Sequence, residues 1–163
     1  MPKVNVRGWP RDVQLAYLAA AIDGEGSIMM LRRPNGRWRP KIQISQTQRE
    51  WLEDLHKIIG VGYIVEVSKK GTFKNDPTRK YKDEWMLMVD SPKLILKELL
   101  PYLLIKRQQA VLLLKYYVDS DKRHPIKGQK LVGGSKPRTA ASEVRAVEIR
   151  RKIQELNRRG QPI

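Results

Sequence analysis

The nine residues from Leu18 to Gly26, Leu-Ala-Ala-Ala-Ile-Asp-Gly-Glu-Gly, constrain the fold more than any other part of the chain. Val13, Leu15, Leu18, Ala19 and Ile22 recur at helical spacing, and Asp12 is placed to cap the start. Gly24 and Gly26 are expected to stop the helix, and a strand follows over Ser27–Arg33. Asp23 and Glu25 therefore fall in the last helical turn, where unpaired carbonyls already carry partial negative charge. A carboxylate there is disfavoured by roughly 0.3–1 kcal/mol unless a cation offsets it.

A second face of this helix is also unusual. Ala16, Ala20 and Gly24 form a stripe of small residues at i, i+4 and i+8. Such a stripe lets two helix backbones approach closely. If the partner is the same helix of a second copy, a two-fold axis lies between them and both acidic ends converge. Hard divalent cations with oxygen ligands, Mg²⁺ most simply, would relieve that crowding.

The remaining pattern is helix, two strands, helix, two strands, helices. Pro34-Asn35-Gly36 is a turn, and Arg37–Gln46 is the returning strand. Along it Arg37, Arg39, Lys41, Gln43 and Ser45 alternate with Trp38, Pro40, Ile42, Ile44 and Gln46, so one sheet face is polar and the other apolar. Pro40 suggests an edge or a bulge. Thr47 is expected to cap a helix to about Ile59, and Val61–Lys69 and Asp83–Asp90 read as strands around a basic loop, Lys70–Lys82. Ser91 starts a helix over Pro92–Leu100, Pro101 breaks it, and an apolar helix runs from about Leu104 to Val118. A basic linker and a charged helix beginning at Thr139 or Ser142 complete the chain. The expectation is an α+β fold: a four-stranded antiparallel sheet, helices on one face, and additional C-terminal helices.

Composition narrows the partners. The 163 residues carry 33 Lys and Arg against 17 Asp and Glu, a net charge of +16. Nucleic acid, an anionic membrane or an acidic protein suits such a surface. No apolar run approaches the ~18 residues of a membrane span, and no signal-peptide core opens the chain. A soluble intracellular protein without a membrane partner is expected. Absence of cysteine excludes thiolate metal sites, and two histidines are too few for a His-based zinc site.

Leu18–Gly26 resembles the signature of the LAGLIDADG homing endonucleases in its single-copy, homodimeric form. Asp23 and Glu25 match the two acidic positions, and Gly24 and Gly26 the two glycines. Ala20, Ala21 and Glu25 depart from the commoner Gly, bulky residue and Asp. The resemblance extends in element order over about residues 12–118 of one domain, 1–163, with 119–163 as linker and terminal helix. It implies an αββαββα core, a dimer through Ala16, Ala20, Asp23 and Gly24, and a curved sheet laid into the DNA major groove. It also implies metal binding by Glu25, with the Gly24 carbonyl a further oxygen.

Gln46, closing the second strand, resembles the family glutamine that orders water in the metal pocket. Lys106, within Pro101-Tyr102-Leu103-Leu104-Ile105-Lys106-Arg107-Gln108-Gln109-Ala110, resembles the pocket lysine, and Arg49 is a weaker member of this set. The catalytic candidates are thus Glu25, Gln46 and Lys106. Arg33, Arg37, Arg39, Lys41, Gln43, Lys69, Lys136 and Arg138 are candidates for DNA contact. The resemblance implies a homodimer that hydrolyses both strands of a long pseudo-palindromic double-stranded DNA site. Mg²⁺ or Mn²⁺ would support cleavage, whereas Ca²⁺ would bind without supporting it efficiently. An RNA-binding intron maturase and a non-catalytic DNA-binding regulator are the alternatives, since a basic surface does not choose between DNA and RNA.

Overall fold

The computed structural model describes residues 6–67, 72–73, 76–80, 84–121 and 140–158. After a short turn, Val6–Gly8, come α1 (Arg11–Glu25), β1 (Gly26–Arg32), β2 (Trp38–Gln46) and α2 (Arg49–Ile59). Then follow β3 (Tyr63–Val67), β4 (Thr72–Phe73), β5 (Asp76–Lys80) and β6 (Glu84–Asp90). Three helices complete the order: α3 (Lys93–Leu99), α4 (Arg107–Asp121) and α5 (Ala140–Arg158). The main sheet is antiparallel with strand order β1-β2-β6-β3. The expected αββαββα core is present, and the stretch expected as a loop holds an extra hairpin, β4–β5.

Strand alternation sorts the sheet as expected. Ile28, Met30, Trp38, Pro40, Ile42, Ile44, Leu87 and Val89 are buried on the helix side. All of these but Pro40 join Leu15, Leu18, Ala19 and Ile22 of α1, Leu52, Leu55 and Ile58 of α2, and Leu96 and Leu99 of α3 in one hydrophobic cluster. Burial at ~25 cal/mol per Å² of apolar surface makes this cluster the main source of stability. Pro40 sits in a strand paired on both sides, not at an edge or bulge. Its carbonyl accepts from Ser91 N at 3.1 Å, so its ring nitrogen faces the end of β6. The missing N–H removes no ladder bond there.

Three expected caps differ. Helix α1 begins after Pro10, so Asp12 lies in the first turn, where its charge complements the dipole without capping. Gln48 and Pro92 occupy the N-cap positions of α2 and α3, in place of Thr47 and Ser91, and none of these helices has a side-chain cap bond. Packing of the apolar faces holds these ends in their stead. Helix α5 lies along β1, an edge strand. Asn157 Nδ2 donates to Ile28 O at 3.0 Å, and Trp38 Nε1 donates to Glu143 at 3.1 Å. The guanidinium of Arg32 lies over the Trp38 ring at 5.4 Å and pairs with Glu143 at 3.2 Å. The edge is thereby covered and the β1–β2 hairpin is tied to the C-terminal helix. Among the described residues, no helix is long and apolar enough to cross a membrane.

Candidate nuclease centre and nucleic-acid interface

Helix α1 does not stop at Gly24; it continues to Glu25 and passes straight into β1 at Gly26. The two glycines serve different ends. A Cβ on Gly26 would meet Ile22 Cα and O at 2.8 Å, so the junction has no room for a side chain. A Cβ on Gly24 would meet nothing within 4 Å. Ala16, Ala20 and Gly24 are all exposed, beside Val13 at 45% exposure, and the stripe of small residues is an open face.

The carboxylates also separate. Asp23 accepts the main-chain N–H groups of Leu104 at 2.8 Å, Ile105 at 3.1 Å and Lys106 at 2.8 Å, immediately before α4. The Lys106 ammonium returns to donate to the Asp23 carbonyl. The negative end of α1 thus meets the positive end of α4, and the charge expected to be unfavourable at Asp23 is met within the chain. Asp23 is therefore a cap for the segment leading into α4, its carboxylate bonded to three main-chain N–H groups of its own chain.

Glu25 is exposed at the tip of α1, with no hydrogen bond or ion pair among the described residues. Burial pushes the Lys106 ammonium below the ordinary lysine range, while the charges of Asp23 and Glu25 pull it back up. Lys106 therefore lies within the electrostatic reach of Glu25. Gln46 closes β2 beyond the Gly26↔Ile44 pair, alongside the same helix end. Its amide oxygen accepts from Thr47 N at 2.8 Å and Thr47 Oγ1 at 3.3 Å. Arg49 points elsewhere: it pairs with Glu53 at 2.8 Å and its guanidinium lies 4.6 Å from the centre of the Trp85 ring.

Hard oxygen donors fit a divalent cation here: the Glu25 carboxylate and the main-chain oxygens that a helix end leaves unpaired, that of Gly24 included. Among the described residues, no three His, Asp or Glu side chains gather into a metal-binding group. The described residues of one chain thus supply few of the side-chain ligands such an ion takes.

The open face of the sheet is less uniformly basic than its second strand suggests. Met29 stands opposite Lys41, Met88 opposite Gln43 and Met86 opposite Ser45. Lys41 lies on this face yet is only 5% exposed. Its ammonium donates to Gln43 Oε1 at 3.2 Å. Burial lowers its pKa, Asp90 opposing that shift and Arg39 adding to it. Arg39 is ion-paired with Asp90, and its Nη2 also donates to Tyr63 Oη at 3.2 Å. Arg33 and Arg37 are at the hairpin tip, where Arg33 N donates to Arg37 O at 2.8 Å. Lys69, Lys136 and Arg138 lie outside the described residues, as do Lys74 and Lys82 of the basic loop. Asp90 and Tyr63 were not singled out in the sequence. The alternation of Met86, Met88 and Asp90 against Trp85, Leu87 and Val89 was the available signal.

No family model matches the chain. DNA endonuclease I-CreI of Chlamydomonas reinhardtii is 34% identical over 110 residues, which are 62% of this chain and 60% of that protein. The chain thus aligns with less than two thirds of that relative's length. The homing endonuclease I-CvuI, solved with the I-CreI target and 2 mM Mg, matches with a TM-score of 0.63 at 24% identity, over 90% of this chain and 83% of that one. LAGLIDADG meganuclease I-AabMI bound to uncleaved DNA matches with a TM-score of 0.52 at 21% identity, over 66% of this chain and 37% of that one. Motif, element order and these similarities agree: in fold the chain is like the LAGLIDADG homing endonucleases, and it carries the motif that resembles their signature once, in α1.

Proposed function

We propose that the chain, acting as one domain over its whole length, is a site-specific endonuclease that works as a homodimer. It would bind a long pseudo-palindromic double-stranded DNA and hydrolyse a phosphodiester bond in each strand. One observation carries the reading: the tip of α1 presents Glu25 at the border of an open sheet face, while the partly buried Lys106 is held at the same helix end by its ammonium's bond to the Asp23 carbonyl. Phosphodiester hydrolysis needs an activated water, neutralised phosphate charge and a stabilised leaving oxygen. Glu25 and the Gly24 carbonyl would hold a divalent cation, Mg²⁺ or Mn²⁺, which supplies Lewis-acid stabilisation when bound. Lys106 would place positive charge at the scissile phosphate. Gln46 would orient water through its remaining amide group.

The dimer is supported by Gly24, which nothing in its own chain requires to be glycine, and by the exposed Ala16 and Ala20. Two α1 helices packed on these residues would bring two Glu25 carboxylates together. Strand β2 has nine residues and spans ~30 Å at ~3.3 Å per residue, about one turn of DNA. Two copies would cover roughly 20 base pairs. Arg33, Arg37, Arg39, Lys41 and Gln43 would contact that DNA, Arg favouring guanine and Gln adenine.

The test is incubation of the full chain and Mg²⁺ with a plasmid carrying the uninterrupted insertion site of its own gene. Linearisation supports the reading, and Ca²⁺ should permit binding with little cutting. Specific binding without cutting in Mg²⁺ or Mn²⁺ would leave a DNA-binding regulator. Preference for structured RNA over that duplex would favour a maturase.

A further inference from the structure

Arg39, Asp90 and Tyr63 come from three neighbouring strands and meet on the open sheet face. Arg39 Nη2 bonds to Asp90 Oδ2 and to Tyr63 Oη, and that hydroxyl lies 3.5 Å from the same carboxylate oxygen. The ion-paired side chains are each 29% exposed, so this is not a pair waving in solvent. Arg39 Nε and Asp90 Oδ1 are buried without a hydrogen-bond partner. The group sits toward the hairpin tip, away from Glu25, because β2 pairs with the start of β1 at Ile44.

The placement of a carboxylate here runs against simple phosphate attraction. Asp90 would repel DNA, and it occupies an arginine that could otherwise meet a phosphate. Its benefit must lie in discrimination. A free arginine loses rotamer entropy when it is fixed. One held in advance by Asp90 and Tyr63 loses less on binding. A base that fails to pair with the held guanidinium leaves a desolvated carboxylate and unpaired donors, which penalises that base.

We propose that Asp90, assisted by Tyr63, is a positioning and specificity-determining residue that holds Arg39 to read a guanine in the outer part of each DNA half-site. This inference rests on the DNA-binding reading above. The pair also lowers affinity for unrelated sequence, since it removes one positive charge from the phosphate-facing surface.

The experiment is selection of bound sites from a randomised duplex pool, with Ca²⁺ to hold binding without cutting, for the unmodified protein and for Asp90→Asn, Tyr63→Phe and Arg39→Ala. The unmodified protein should prefer guanine at one symmetric outer position by about tenfold. Asp90→Asn should lose that preference alone and bind unrelated DNA more tightly, its salt slope steeper by about one unit. Tyr63→Phe should lose part of it. Arg39→Ala should lose it without the gain on unrelated DNA. An unchanged profile in Asp90→Asn would overturn the positioning role, as would an Arg39→Ala profile that keeps the guanine. Loss of preference at every position would make the cluster a structural support and overturn it too. If the unmodified protein selects no duplex site, the endonuclease reading itself fails, and the inference with it.

Discussion

Asp23 and Lys106 are joined twice, the Asp23 carboxylate accepting the Lys106 main-chain N–H at 2.8 Å while the Lys106 ammonium donates to the Asp23 carbonyl. The end of α1 and the start of α4 are thereby locked together, 83 residues apart in sequence. Replacing Asp23 with Ala should leave three N–H groups without their acceptor. Loss of one cap costs roughly 1 kcal/mol, and this one should cost about 1–2 kcal/mol. Urea unfolding of the variant would show it, and a midpoint equal to that of the parent would refute the cap.

The two glycines of the motif should respond in opposite ways to alanine. Gly26→Ala puts a Cβ 2.8 Å from Ile22 backbone atoms, so the helix-to-strand junction must shift, and stability should fall by about 1–3 kcal/mol. Gly24→Ala meets nothing in its own chain, and helix propensity favours it by up to ~1 kcal/mol. The folded monomer should therefore survive while dimerisation weakens. Thermal melts and sedimentation on both variants check the pair. A Gly24→Ala protein that dimerises like the parent removes α1 from the interface.

Glu25→Gln keeps the side chain's size and removes the charge that would hold a cation. Cleavage should fall by orders of magnitude, while binding to the site in EDTA stays equal or tightens, because the phosphates meet less negative charge. Parallel nicking and gel-shift assays separate the two effects. Parent-level cutting in Mg²⁺ would refute the catalytic assignment. Loss of binding and cutting together, with fold and dimer intact, would make Glu25 a recognition residue.

Lys106 should impose an alkaline limit on activity. Burial lowers its pKa, so the charged form is lost at a lower pH than for a free lysine. In the proposed role only the charged form assists, and cleavage should decline as pH rises through that lowered value. The sign for stability is the reverse. A depressed pKa means that the folded state favours the neutral form, so this contribution to stability falls as pH drops through the folded-state value. Lys106→Arg should carry the decline in cleavage to higher pH, and Lys106→Met should abolish the dependence along with most activity. A parent pH profile that stays flat to the ordinary lysine range would contradict the role.

Periodicity was enough for much of the fold. The order of helices and strands, the hairpin about Asn35-Gly36 and the division of β2 into an apolar and a polar side follow from residues that neighbour one another along the chain. Burial of one strand face is decided by i, i+2 spacing, and burial of a helix by i, i+3, i+4 spacing, so both are legible locally. The motif likewise marked Glu25 and the small-residue stripe.

Tertiary structure alone decided the partners of the charged groups. Nothing near Asp23 in sequence announces that the N–H groups of residues 104–106 will meet it, nor does anything near Arg39 announce Asp90 and Tyr63. Alternation places Lys41 on the wet face, yet it is covered, because alternation tells which side of a sheet a residue takes but not how deeply its neighbours enclose it. A charge is satisfied by whichever donors the packed helices and strands bring within about 3 Å. That distance is fixed by how the apolar faces dock, long-range contacts that one element's sequence does not contain.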